Sequence, residues 1–312
     1  MSVILVDRAA RATRRAANPR RRAAAVPYAL VGPAFLLLMA FGVLPIFVAV
    51  VVSLTDLDIG GLGDWSTVRF IGLDNYQTLF ADPDFWVSLG NTAFFVIIGV
   101  PTIVGLSLLI ALGLNYSQSR YFRALRSFYF LPAITAIVAI SLIWGYLYNS
   151  QFGQLNYLLG TVGLGPVPWL SDPFVSKLSV AIVAIWRATG LNIIIFLAAL
   201  QGIPKEYREA AALDGASEWR TTRSIVVPLL GFAILFVSIT TLIGWMQFFD
   251  EPFVLQKWPA NATTSASLYI YFEGFRFNEF GFASAASVVL FALILAVTVI
   301  HLRMRRVSDD GS

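Results

Sequence analysis

The sequence predicts an all-α, polytopic membrane protein with six transmembrane helices, and three observations carry that reading. First, 58% of the 312 residues are hydrophobic and only 13% are charged, whereas a soluble domain carries about 25% charged residues. Second, the mean hydropathy is +0.75, too apolar for polar side chains to cover the surface in water. Third, apolar runs recur near the ~20 residues needed to cross ~30 Å of hydrocarbon. No alternating barrel pattern accompanies them, so backbone groups in lipid must be satisfied within helices.

Taken in order, residues 1–25 form a basic tail with seven arginines (Arg8, Arg11, Arg14, Arg15, Arg20, Arg21, Arg22) against one acid, Asp7. The run that follows, Pro27 to Leu54, is far longer than the ~7–15-residue core of a signal peptide. It reads as a retained first span, with Pro33 and Pro45 as places for a bend. Further spans are expected at Trp86–Leu114, Phe128–Tyr148, Leu178–Leu200, Val226–Phe248 and Phe282–His301. The domain reading is thus a tail (1–25), a six-helix unit (26–302) and a second tail (303–312). No internal repeat is evident.

The loops decide the orientation. The N-terminal tail, the 115–127 loop, the 201–225 segment and the C-terminal tail hold 17 of the 22 Lys and Arg residues. The other three loops hold only Arg69, Lys177, Lys257 and Arg276, but 11 of the 18 acids. By the positive-inside rule both termini face the cytoplasm. The net charge of +4 and pI near 9.4 therefore reflect topology, and no nucleic-acid partner is implied. The outer loops, about 55–85 and 249–281, are aromatic and Gly-rich, with FIGLDNY at 70–76 and SLYIYFEGFRF at 267–277. They fit either an interfacial aromatic belt or a docking surface for an external partner. Asn261-Ala262-Thr263 matches a glycosylation pattern and is read as coincidence.

One cytoplasmic stretch differs from the rest: PKEYREAAALDGASEWRTTRSIVVP, residues 204–228. Pro204 suits a helix start, with Glu206 and Glu209 early, where the helix dipole favours negative charge. Ala210, Ala211 and Ala212 favour helix and let another surface approach closely. Gly215 can take the left-handed conformation that ends a helix. Ser217 can cap a second helix that carries Trp219, Arg220 and Arg223. Two short helices about a glycine corner make a compact protrusion.

Several chemistries leave no mark. None of the three lysines (Lys177, Lys205, Lys257) ends a Gly-rich phosphate loop, so ATP is not expected to bind this chain by that route. Without cysteines there is neither disulfide nor thiolate metal site. His301 stands alone at the inner end of the last span and reads as an interfacial histidine. No span holds the acid–acid or acid–His relay of a proton-driven carrier. No cofactor is expected in this chain.

Arg187, in AIWRATGLNIIIF, is the one charge expected inside a span, about ten residues in and ~14 Å below its outer end. Such a cation costs about 2.5–3.5 kcal/mol at a helix centre, so it must face protein or a wet cavity. It either pairs with backbone carbonyls or a partner subunit's acid, or hydrogen-bonds solute oxygens. Asn192, and Thr240, Thr241, Trp245 and Gln247 in the fifth span, add amides, hydroxyls and an aromatic face. Polar groups beside flat rings suit a sugar; they equally suit helix–helix packing.

The 204–228 segment resembles the EAA loop of ABC importer permeases: EAA, three residues, G, nine residues, I, any, L, P. Here Glu209-Ala210-Ala211, Gly215, Ile225 and Pro228 match, with Asp214 beside the glycine and Val227 where the family usually has Leu. YALVGPAFLLL in the first span, FIGLDNY, RYFRALRSFYFLP, LAALQGIPKEYREAAALDGASEW, FFDEPFVL, and YIYFEGF with GFASAASVVLF extend the resemblance over nearly the whole chain. The pattern is similar to the first-permease branch of the maltose-type carbohydrate importers. The chain departs from it after FVL, where a TGGGP-like turn is replaced by QKWPANATT.

The resemblance implies a type I ABC importer permease fold in a bacterial or archaeal cytoplasmic membrane. It implies a heterodimer with a second permease, and a dimeric ATPase that binds ATP and Mg and receives the EAA helices. An extracytoplasmic sugar-binding protein, a lipoprotein in many such systems, would deliver the solute. Glu209, Ala210, Ala211, Asp214, Gly215, Ile225 and Pro228 are then expected to couple to the ATPase. Similarity also places a solute path around positions 184–191 and 241–248, giving Arg187, Ala188, Leu191, Asn192, Thr241, Gly244, Trp245 and Phe248 as candidates. These do not reproduce the maltose-binding set. A non-catalytic permease subunit of a sugar importer is the leading expectation. An ABC importer for a polyol or glycerol phosphate is the alternative. A membrane glycosyltransferase should show a carboxylate cluster at the membrane surface, and a passive channel would not need the EAA helix.

Overall fold

The computed structural model describes residues 19–115, 120–255 and 261–309. Most of the N-terminal arginine tail, the 116–119 loop, the 256–260 part of the divergent turn and residues 310–312 lie outside these. The described residues are helical, and their only β-pairing is an isolated bridge between Thr55 and Phe70.

Helix α1 (Pro19–Leu38) continues through a π turn at Met39–Val43 into α2 (Leu44–Val52). The irregularity falls just before Pro45, whose ring cannot donate to the preceding turn. The expected bend at Pro33 does not occur, because α1 runs through it. No residue of the first span, Leu30–Val52, is buried in this chain, although α2 contacts the last helix.

After a short helix, α3 (Asp74–Ala81), the second span is α4 (Pro83–Asn115), long enough at 33 residues to project beyond the hydrocarbon. The third expected span is not one rod. It is α5 (Arg120–Ile134) and α6 (Ile137–Leu147), bent by 95°. Ala136 at the break takes an extended ψ of 122°, four residues after Pro132, which removes a helix donor. Among the described residues five helices are therefore long enough to cross alone, and six spans result only if this bent pair counts as one.

A short helix, α7 (Gln154–Thr161), leads to the fourth span, α8 (Pro173–Gln201). It starts five residues before the expected boundary because Asp172 caps it, accepting from the Phe174 and Val175 amides with Pro173 in the first turn. The pair expected in the 204–228 segment follows as α9 (Glu206–Leu213) and α10 (Glu218–Thr221). The fifth span is α11 (Gly231–Met246), extended after a short break by α12 (Asp250–Leu255). The expected outer loop at 249 thus begins with a helix packed on α6. Residues 248, 251, 252 and 255 are buried, a helical stripe. Beyond α13 (Ala266–Tyr271), the last helix, α14 (Phe280–Asp309), runs on through 303–309, so the expected tail begins as helix.

The core lies where α4, α8 and α11 meet. Phe95, Ile103, Val180, Val183, Ala184, Trp245 and Phe248 fill the half away from α9. Ala111, Ile193, Phe196, Leu200, Val226 and Val237 fill the half next to α9. The two outer loops are tied into one cap. Asn91 Nδ2 donates to the carbonyls of Asn261 (2.8 Å) and Thr264 (2.9 Å), and Thr92 Oγ1 accepts from the Ala266 amide at 2.8 Å. Tyr269 donates to Asp82, and the Gly281 amide to the Leu57 carbonyl at 2.8 Å. In the two aromatic motifs Tyr269 is buried, while Phe70, Phe275 and Phe277 are exposed.

Candidate functional site

Two sites emerge, at opposite ends of the core. The first is the protrusion. Glu206 and Glu209 occupy the first turn of α9. The helix ends as the alanine–glycine sequence dictates: the Ala216 amide donates to the Ala211 carbonyl at 2.9 Å and the Gly215 amide to Ala212 at 3.1 Å. This paired closure needs a left-handed residue, and Gly215 has φ of 74°. Ser217 then caps α10, accepting from the Arg220 amide. The two arms leave a groove of about 610 Å³ lined by Tyr207, Ala210, Ala211, Asp214, Arg220 and Ile225, among others.

Ala211 and Val226 are buried, the latter in the core cluster next to α9, so the base of the protrusion is rigidly joined to the spans. Its tip is not covered. Glu209 and Ala210 are exposed, and Leu213 is 90% exposed. Of the predicted coupling residues, Ala210, Ala211, Asp214 and Ile225 share the groove, Glu209 stands outside it, Gly215 makes the corner and Pro228 lies beyond on the way to α11.

The second site is a cavity of about 210 Å³ between α8 and the α11–α12 junction. Its lining includes Arg187, Ala188, Thr241, Gly244, Trp245 and Phe248 from the predicted set. Leu191 and Asn192 are not brought in. Leu191 is 53% exposed on the outside of α8, and Asn192 is buried, donating to the Ala188 carbonyl of its own helix. Thr240 is likewise turned away, bonded to the Phe236 carbonyl. Trp245 and Phe248 stack, with ring centroids 5.0 Å apart and planes 6° from parallel.

Arg187 has 14 residues of helix before it, so it lies ~21 Å along α8. Within this chain its partner is a side-chain carboxylate that the sequence reading did not name. Nε donates to Glu251 Oε1 of the same chain at 2.8 Å. Sequence reasoning missed Glu251 by assigning it to an outer loop. The signal was available: Phe248, Glu251, Pro252 and Leu255 fall on one helical face, and a carboxylate on an apolar stripe requires a cation. Glu251 is 1% exposed. Gln247, Phe249 and Asp250 complete the lining near it.

His301, expected at the inner interface, lies 3.1 Å from Ser238 Oγ, linking the last span to the fifth. No group of three or more metal-binding side chains occurs among the described residues.

Comparison with known proteins gives the arrangement a family. Residues 23–308 match the model for the binding-protein-dependent transport system inner membrane component. The lactose transport system permease protein LacF of Rhizobium radiobacter is 35% identical over 277 residues, 87% of this chain and 91% of that one. The trehalose/maltose transport system permease protein MalF of Thermococcus litoralis is 31% identical, covering 93% and 96%. The arabinooligosaccharides permease AraP of Halalkalibacterium halodurans is 32% identical, covering 92% and 89%. Among solved structures, a bacterial ABC transporter involved in alginate import has the same fold (TM-score 0.77, 23% identity, covering 90% of this chain and 95% of that one). The chain is a membrane-embedded member of the binding-protein-dependent transport system inner membrane component family, a permease with the type I ABC importer fold.

Proposed function

We propose that this chain is a permease subunit of an ATP-dependent sugar importer, forming half of a translocation path that the EAA protrusion couples to a separate ATPase. The observation that carries the reading is the protrusion: a rigid two-helix wedge, seated in the core at Val226 and exposed at Glu209 and Leu213. Its alanine face fits a cleft in another protein, and a stiff wedge can transmit rotation to α8 and α11 without bending. Relatives named for lactose, trehalose/maltose and arabinooligosaccharide transport support a carbohydrate solute.

The partners follow from this reading: a second permease, an ATPase dimer holding ATP and Mg, and an external sugar-binding protein. The termini and the wedge face the cytoplasm. Arg187, Ala188, Thr241, Gly244, Trp245 and Phe248 line the solute path in this chain, the stacked rings forming an apolar wall and Arg187 offering donors. Glu209→Lys is expected to abolish ATP-coupled uptake of labelled disaccharide while membrane insertion, followed by immunoblot of the membrane fraction, stays unchanged. Uptake that survives the substitution would refute coupling through this helix.

A further inference from the structure

The charges around the 210 Å³ cavity extend this reading, on which the following inference rests, to the class of solute. Three ionisable side chains line the cavity: Arg187, Glu251 and Asp250. The Arg187 side chain is 30% exposed and Glu251 is 1% exposed. Only Nε of the guanidinium is bonded to protein among the described residues. Glu251 Oε2 is buried with no hydrogen-bond partner there. A half-satisfied buried carboxylate is a poor stabiliser, since an ion pair in low dielectric barely offsets its own desolvation. Packing alone does not account for it.

Its electrostatic effect is specific. Without Glu251 the cavity would present a guanidinium with no bonded counter-ion, a group that binds carboxylates and phosphates strongly. With it, the cation is neutralised from behind, and exposed Asp250 leaves the lining with more negative than positive charge. An anion entering would meet net repulsion. A neutral polyhydroxy solute would still find donors on the free terminal nitrogens of Arg187, beside the apolar wall of the buried Trp245–Phe248 stack.

We propose that Glu251 is a specificity-determining residue: by neutralising Arg187 from its buried side, it admits neutral hydroxylated solutes to this path and excludes anionic ones. A phosphate ester or a uronic acid is therefore a poor fit, and Glu251→Gln should convert the cavity to an anion-accepting one.

The test uses the complete transporter, this chain with its permease and ATPase partners, in nanodiscs, with methyl glucoside and methyl glucuronide as probes of similar size. Saturation-transfer NMR suits such weak ligands. In the wild type the glucoside signal should exceed that of the glucuronide by at least about fivefold. In Glu251→Gln, a near-isosteric change, the glucuronide signal should rise at least about fivefold. Adding Arg187→Gln should return it to background. An unchanged ratio in an assembled Glu251→Gln transporter would overturn the inference. Equal binding of the two probes by the wild type would do so with no variant at all. Absence of any glucoside signal in the wild type would instead remove the sugar-path reading, and this inference with it.

Discussion

Trp245 owes its position to a missing methyl group on a different span. A Cβ added at Gly99 would meet Trp245 Cζ3 at 1.9 Å and Cε3 at 2.2 Å, so the indole lies directly on the α4 backbone and from there stacks on Phe248. Gly99→Ala should force the ring aside, costing about 1–3 kcal/mol as an overpacked core site. The thermal midpoint of the purified protein should fall. Gly113→Ala, on the same helix with nothing within 4 Å, should leave it unchanged or slightly raised. Equal midpoints for the two variants would refute the contact. The sequence flagged Trp245, Arg187 and Thr241 as chemistry worth watching, but not Gly99 or Glu251. Each is defined by a contact with a residue 64 or more positions away; the local stripe marks the buried face of Glu251 but does not name its partner.

At the scale of elements, the wedge was readable nearly residue by residue, because caps and corners are local. Gly215, at φ 74°, is the corner. A side chain in that left-handed conformation costs about 1–2 kcal/mol. Gly215→Val should therefore reduce ATP-coupled uptake sharply, while Gly215→Asn, which tolerates the conformation, retains more of it. Indistinguishable uptake in the two would argue against a required left-handed corner.

The outer cap offers a pH-dependent element. Burial, and then the nearby charges of Glu279, Asp82 and Asp84, push Glu273 up to about 7 from the ordinary 4.5. Its folded pKa is raised, so the folded state holds the extra proton between the two values. Its stabilising contribution is full below about pH 4.5 and is lost as pH rises through about 7. Thermal midpoints should fall from pH 5 to pH 7.5 more in the wild type than in Glu273→Gln. Matching slopes would show that Glu273 titrates normally. Other elements escaped the sequence. The 95° break in the third span follows Pro132, yet Pro101 lies within an unbroken α4, so proline alone does not say where a helix turns aside.

For the whole molecule, orientation is the property to test, and the absence of cysteine makes that direct. Ser66 and Ser217 are both exposed, one in the loop expected to lie outside and one on the wedge. In intact cells a membrane-impermeant maleimide should label Ser66→Cys and spare Ser217→Cys until the membrane is opened. The reverse labelling would invert the topology and remove the wedge from any cytoplasmic ATPase.

Composition, run length and loop charge determined that this chain is helical, membrane-embedded and built around one polar wedge, because hydrocarbon thickness and backbone hydrogen bonding act on any stretch of chain in the same way. Only the tertiary structure decided which polar side chains share a cavity and that Arg187 is neutralised by Glu251 rather than left free. Inside a membrane every helix face is apolar, so periodicity carries little information about which face meets which. Partner choice is then set by small residues and single buried charges that come together only on folding.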